Sequence, residues 1–525
     1  MNIVLAQLNP IPADIEYNKN KIIEALDNQE YELMIFPKYF IYGYHNFDMI
    51  EKFSFIKEQI DNAFKEIQKH VKTNALISSF DGNYLINQEE IKKVEIFTLN
   101  FESFEIIENE HPKFATSNLI YLDLCASKTN SEYYRNEKLY KLATSQNKNL
   151  FYLNQTGAID EFVYDGMSRI IDSKGTLLAQ AKAFNEDYLK KGRIEKNEYN
   201  FPTNHDSFSL NYENDLKRTY CSIVLSIKDY FSKNGFTQAV LGLSGGLDST
   251  ICAVLLADAL GSKNVLGVSM PSRLTSNESK FDGCELAKNL GINYIEAPIK
   301  EYHEAFSIGL DKVFNKASNY WCNRYTKSFT QDNIQARSRA MILWGIANEF
   351  GSTLPIATSD KSETYMGYAT INGDMSGGFA PILDVTKTKL FALARWMNEN
   401  RPIKNAIPES IILKPPGAEL AIDPNTGKTL KAEDALMPYE FMDEVIWRIE
   451  NLNQSIDNMM QIEFLYEKKN ILDEKTKKLW LEKFFKRMNS AIYKWYISAP
   501  SPIVDSHSIN KAIYKQPIVS NINYW

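Results

Sequence analysis

No stretch of this chain stays apolar for the roughly 20 residues a bilayer span requires. The opening MNIVLAQLNPIPADIEYNKN has neither a basic start nor a long apolar run, so no signal peptide is expected. Cysteine is scarce: Cys125, Cys221, Cys252, Cys284 and Cys322 lie scattered, without C-x-x-C spacing or His/Cys pairing. That pattern excludes a disulfide framework or a structural zinc and fits the reducing cytoplasm. Positive charge is not in excess either. A net charge of −7 argues against a broad nucleic-acid or membrane surface. There is no internal repeat and no low-complexity tract. Hydrophobic residues make up 44% and charged residues 24% of 525, the profile of a soluble globular chain. At about 100–200 residues per domain, two to four domains are expected.

What is present centres on TQAVLGLSGGLDSTICAVLLADAL, residues 237–260. Its short apolar start, Ala239–Leu243, reads as a buried strand, and Leu247–Leu260 is long and Ala/Leu-rich enough for a helix. Gly242, Leu243, Ser244, Gly245, Gly246 and Leu247 form the turn between them, with Asp248, Ser249 and Thr250 in the first helical turn. A strand–glycine turn–helix aims backbone N–H groups and a positive helix end at one point, which makes an anion site. The turn is not a Walker A loop, because no Gly-Lys-Ser/Thr occurs, and its glycines miss the G-x-G-x-x-G spacing. Asp248 fits a phosphate site only with a cation such as Mg²⁺ between the charges. The alternative is a plain turn in which Asp248 complements the helix dipole.

Taken in order, residues 1–195 alternate strand and helix signals. Strands are predicted at 2–7, 32–36, 75–79, 119–124 and 149–154, helices at 18–28 and 133–145, and a hairpin turning at Lys174-Gly175. The polar segment 196–209, with Pro202, Asn204, His205 and Asp206, reads as a linker to a second domain at 210–525. There, helix 211–233, strand 239–243, helix 247–260, strand 264–269, helix 278–290 and strand 294–297 predict a parallel sheet covered on both faces. A long helix opening at Gln331 and a strand at 353–357 follow.

SGGLDST resembles the pyrophosphate loop of N-type ATP pyrophosphatases, which split ATP to AMP and pyrophosphate while adenylating a substrate. MNIVLAQLNP, MIFPKYFIYGY, Phe151–Gly157 and Tyr164-Asp165-Gly166 resemble a nitrilase-type glutaminase domain. In this order the two resemble the glutamine-dependent NAD synthetase family. The resemblance implies an α/β chain, a nitrilase-like α-β-β-α sandwich followed by a doubly wound parallel-sheet synthetase domain. It implies ATP as co-substrate with Mg²⁺, the turn residues Gly242 to Ser249 on ATP, and Asp248 and Glu363 as catalytic metal ligands. Thr358 and Lys387 match ATP contacts, and Arg273, in MPSRLTSNE, either meets phosphate or is a solvated loop residue. Asn333, Arg337, Glu363, Asp384 and Lys494 match positions on the deamido-NAD side. A homodimer or higher homo-oligomer is implied as well.

The departures are as informative. The family's glutaminase uses a Glu–Lys–Cys set, and here its Glu position is Lys38, the Lys-bearing segment is cut short between Gly82 and Pro112, and no cysteine precedes Cys125. A protonated Lys38 cannot deprotonate a thiol. Cys125 follows a predicted strand, as a nitrilase nucleophile does. Its spacing to Tyr152 instead fits the family's later Ala-Ser-Pro segment, which makes it a packing thiol. The first domain therefore reads as a degenerate glutaminase, and ammonia, free or from an external source, as the nitrogen donor. The family's T-G-N-K-S-E is TSDKSE here, so Ser359 and Asp360 either alter substrate contacts or face solvent, and its terminal Tyr-Lys-Arg-Arg is Tyr493-Lys494-Trp495-Tyr496. The expected activity is amidation of deamido-NAD. A related ligase acting on nicotinate mononucleotide or another acid, and a non-catalytic scaffold paralogue, stand as alternatives.

Overall fold

The structure is a computed structural model that describes residues 1–43, 48–108, 111–190, 213–321, 329–401, 403–415, 417, 433 and 436–510. The chain divides into two compact units, Met1–His205 and Asp206–Trp525. The expected linker, 196–209, lies outside the described residues, as do Cys322 and the 418–432 stretch.

The first unit stacks two six-stranded sheets. One runs, edge to edge, Asp187–Lys190, Ile3–Gln7, Leu33–Ile35, Asn74–Ser79, Gly82–Ile86, Ile91–Lys93. The other runs Leu177–Gln180, Arg169–Ile171, Asn149–Asn154, Asn118–Asp123, Glu102–Ile107, Ile96–Leu99. Strand side chains alternate between faces, and both faces here are apolar. Ile3 and Leu5 join Ile120 and Leu122 between the sheets, whereas Val4 and Ala6 pack outward with Ile22, Leu26, Ile60 and Phe64 of helices Ile15–Asn28 and Ser54–Gln68. Leu119 and Tyr121 pack outward with Leu139 and Leu142 of helix Ser131–Gln146. The result is the expected α-β-β-α sandwich. The shortened segment after Gly82 holds four short strands that the sequence pattern did not predict. Two of them, Ile91–Lys93 and Ile96–Leu99, are short and partly exposed, and charge at a sheet edge hides strand periodicity.

In the second unit four strands lie parallel in the order Asn293–Glu296, Val265–Ser269, Gln238–Gly242, Thr353–Pro355. Ala239 and Leu241 point toward helices Glu213–Lys233, Leu247–Leu260 and Lys387–Asn400, while Val240 packs with Leu343 and Ala347 of helix Thr330–Glu349 on the other face. This is the expected doubly wound sheet. The chain moves outward from its first strand and then returns to that strand's other side, so the strand order reverses between Gln238–Gly242 and Thr353–Pro355. A crevice opens at the carboxyl ends of strands at such a reversal. Helices Tyr439–Leu452 and Glu474–Trp495 build a separate apolar core with Tyr365 and Met366. Among the described residues no helix is long and apolar enough to cross a membrane.

Candidate functional site

The crevice holds a cleft of about 280 Å³, lined by Gly242 to Ser249 on one side and by Thr358, Ser359, Glu363 and Lys387 on the other. Gly246 caps the Leu247–Leu260 helix without any side-chain hydrogen bond, so no side chain competes for the N–H groups of the first turn. Gly245 has φ +74, and a Cβ there would stand 2.1 Å from the Ser279 carbonyl oxygen; only glycine lets the turn pass. Ser249 holds the turn's shape. Its hydroxyl accepts from the Ser244 N–H at 3.3 Å and donates to the Gly246 carbonyl at 3.1 Å. Thr250, also in the first helical turn, is wholly buried and does not line the cleft, so its hydroxyl adds no donor there.

Facing the turn, the Lys387 ammonium lies 2.7 Å from Asp248 Oδ1, 2.7 Å from Asp360 Oδ2 and 3.1 Å from Glu363 Oε1. It also stands 5.4 Å from the Tyr439 ring centre, a cation–π distance. Asp360 caps the Lys361–Tyr365 helix, accepting from the Glu363 N–H at 2.8 Å. Burial pushes the Asp360 carboxyl up to about 6 against the pull of Lys387, and burial with the Asp360 and Asp248 charges lifts Glu363 well above the carboxylate range. Burial opposes the Lys387 charge, yet the three carboxylates hold it well above the ordinary lysine value. Three acidic groups thus crowd around a single ammonium. Asp248, Asp360 and Glu363 each offer an oxygen, all within 4.8 Å of one another. Hard oxygen donors at that spacing suit Mg²⁺.

Other expected residues fall elsewhere. Arg273 does not line the cleft; its side chain is 69% exposed, 3.7 Å from Glu304, as the solvated-loop alternative had it. Asp384 also lies outside, buried, accepting from the N–H groups of Val504 and Asp505 at 2.9 Å, with the Lys361 ammonium at 3.9 Å. Asn333, Arg337 and Lys494 converge on the 367–374 loop. Asn333 accepts from the Thr370 hydroxyl at 2.8 Å, Arg337 Nε donates to the Ile371 carbonyl at 3.2 Å, and Lys494 donates to the Gly367 and Ala369 carbonyls at 2.8 and 2.7 Å. Gly373 and Asp374 of that loop line the cleft. Trp495 is buried, its ring 4.9 Å from that of Tyr365 and its indole N–H 2.7 Å from the Thr364 carbonyl. An aromatic at a family cation position has become support beneath the helix that carries Glu363.

Sequence reasoning missed the place of Asp360 in the cluster and the cleft lysines Lys280 and Lys414, the latter hydrogen-bonded to the Ser279 hydroxyl. The signal for Asp360 was its own position in TSDKSE; the lysines carried none.

In the first unit, Lys38 Nζ pairs with Glu108 Oε2 at 3.1 Å and stands 5.0 Å from the Tyr39 ring centre. Glu108 follows strand Glu102–Ile107, which pairs in parallel with the strand that precedes Cys125. Burial pushes the Cys125 thiol up to about 11, with Arg135 only partly offsetting it. Its backbone is bridged to the Asn154 amide at 3.2 and 3.0 Å.

Residues 219–489 match the NAD synthase family model. A glutamine-dependent NAD(+) synthetase of Aquifex aeolicus is 34% identical over 85% of this chain and 88% of its own length. One from Thermotoga maritima is 31% identical over the same shares. Among solved structures, a glutamine-dependent NAD(+) synthetase of Cytophaga hutchinsonii superposes with a TM-score of 0.78 at 19% identity, covering 99% of this chain and 98% of that one. An Acinetobacter baumannii glutamine-dependent NAD+ synthetase, in complex with ADP, gives 0.68 at 23% over the same shares. The match over half the chain and the relatives at 34% and 31% identity place this protein in the glutamine-dependent NAD synthetase family of ligases.

Proposed function

We propose that this protein amidates the nicotinate carboxylate of deamido-NAD, with ATP cleaved to AMP and pyrophosphate and with ammonia, not glutamine, as nitrogen donor. The observation that supports it most is the open helix end at Gly246 facing the Asp248–Lys387–Glu363 cluster across one cleft. The N–H groups of the first helical turn, Leu247 to Ser249, hold the β- and γ-phosphates, and Lys387 turns from its carboxylates toward phosphate oxygens when ATP enters. Thr358 and Ser359 edge the nucleotide. Asp248 and Glu363 would hold Mg²⁺, which would supply charge neutralisation beside the phosphates. The 367–374 loop, fixed by Asn333, Arg337 and Lys494, orients the pyridine carboxylate. One carboxylate oxygen attacks the α-phosphorus, the bond to the bridging oxygen of the β-phosphate breaks, and pyrophosphate leaves. Ammonia then adds to the acyl carbon, loses a proton to solvent, and AMP departs. Positioning and charge carry the rate, because neither step needs a covalent protein group.

Two features support ammonia. Lys38, at the family's base position, is engaged with Glu108, and the Cys125 thiol stays protonated at neutral pH. The test crosses deamido-NAD and nicotinate mononucleotide with ammonium and glutamine in the presence of ATP and Mg²⁺, scoring AMP, ADP and the amide product. ADP as product would overturn the pyrophosphatase chemistry, and faster turnover of the mononucleotide would move the substrate. No AMP with either acid would return the chain to a scaffold role. Light scattering on the same preparation checks the expected homodimer.

A further inference from the structure

The Asp248–Glu363 pair is enough for an ordinary Mg²⁺ clamp completed by phosphate, so a third carboxylate in contact with the same lysine needs its own account. Asp360 is fully buried, and its two oxygens do different work. Oδ1 accepts from the Glu363 N–H, and Oδ2 points at Lys387 from 2.7 Å, with no aligned hydrogen bond of its own. One ammonium serves three carboxyl groups, which together offer more oxygen donors than it can satisfy. Beside it the Ser359 hydroxyl, 4% exposed, lines the cleft and has no hydrogen-bond partner. A buried hydroxyl without a partner costs free energy unless a ligand satisfies it. The spare oxygen donors and the idle hydroxyl point the same way.

We propose that Asp360 is the third carboxylate of the metal cluster, with the Ser359 hydroxyl beside it, and that it lets the free protein take up a divalent cation before any nucleotide binds. With two carboxyl groups the cleft would need ATP phosphates to complete the ion's coordination. With three, whose oxygens lie within 4.8 Å of one another, it offers one more hard oxygen donor, and the ion enters as Lys387 shifts aside. This rests on the reading of Asp248 and Glu363 as metal ligands. It adds an order of binding, metal first and nucleotide second.

The experiment is titration of the full-length, nucleotide-free protein with Mn²⁺, followed by electron paramagnetic resonance of the free ion. Asp360→Asn is the main variant, because asparagine caps a helix as well as aspartate does and removes only the charge. Wild type should bind one Mn²⁺ without nucleotide, and Asp360→Asn should bind it at least about tenfold more weakly, the scale for one unit charge within 5 Å of a divalent ion in a partly buried site. With ATP present the gap should narrow, because phosphate oxygens then supply ligands. Asp360→Ser, which also caps, guards against a folding defect; both variants should keep the wild-type far-ultraviolet circular dichroism. Wild type taking up no Mn²⁺ without nucleotide, or both variants binding it as tightly as wild type, would overturn the proposal. Neither outcome depends on turnover, so a failure of the ammonia or substrate assignment shows separately, in the end-point assay.

Discussion

Two lysines in this molecule stand against carboxylates at the ends of strands, and they do different things. Lys38 meets one partner, Glu108, whose side chain is 41% exposed, and a tyrosine face completes its surroundings. Lys387 meets three carboxylates, is itself 1% exposed, and looks across a cleft at a helix end with no side-chain cap. In the first case charges match one to one and nothing is left for a ligand. In the second, three acids crowd one ammonium, and backbone donors stand open a few residues away. A lysine beside an acid is therefore no sign of chemistry. Acids outnumbering their cation beside open donors are.

The comparison breaks most easily at the cleft. Asp248→Asn and Glu363→Gln should each lower turnover by about a hundredfold or more, the scale for losing one electrostatic contact in a water-poor site. The melting temperature should change little, because both side chains reach the cleft rather than the core. Steady-state kinetics beside thermal melts check this, and near wild-type activity in either variant would remove that residue from the machinery.

A third ion cluster sharpens the contrast. Asp215 sits between Lys389 at 2.6 Å and Arg218 at 2.7 Å. Burial opposes the Asp215 charge, yet Lys389 and Arg218 hold the carboxyl well below its usual range. With the folded value depressed, the stabilisation is present at neutral pH and is lost as pH falls below about 4. Asp215→Asn should cost about 2 kcal/mol at pH 7 and much less near pH 3, with kcat unchanged. Denaturant melts at the two pH values are the check, and an equal cost at both would show that charge is not the cause.

The smallest effects belong to the first unit. Lys38→Ala should cost under about 1 kcal/mol, as a partly exposed pair does. Cys125→Ala should leave ammonium-dependent turnover unchanged. Because its thiol titrates near 11 through burial, Cys125 should also react with iodoacetamide at pH 8 far more slowly than a free thiol. Peptide mapping of the native protein reads this directly.

Much of the architecture was legible because local signals agreed. Ala/Leu density and Gly246 gave helix Leu247–Leu260 to the residue, and apolar runs bounded by polar segments gave the parallel strands within about a residue or two. The glycine turn was legible because anion chemistry demands it. What sequence could not reveal depended on side-chain direction. Asp384 and Arg273 sit in recognisable motifs, but one turns inward to the N–H groups of Val504 and Asp505 and the other outward to solvent. Asp360 could cap a helix and join the cluster only because its two oxygens face opposite tasks, which spacing does not encode. Strand Glu102–Ile107 escaped notice because Glu102 and Glu105 interrupt its apolar pattern, and with it went the partner of Lys38.

The central claim is that the cleft is alive and the first unit's glutaminase centre is not, and one measurement tests both halves. Purified protein is incubated with ATP, Mg²⁺ and deamido-NAD, with either ammonium or glutamine, and AMP, NAD and glutamate are quantified across pH 7 to 9. AMP and NAD should form in equal amounts with ammonium, faster as pH rises and the neutral amine gains on ammonium, while glutamine alone yields neither NAD nor glutamate. Glutamate released from glutamine by wild type and abolished in Cys125→Ala would contradict the account, making the half-buried Cys125 thiol a nucleophile and Lys38 no obstacle to it.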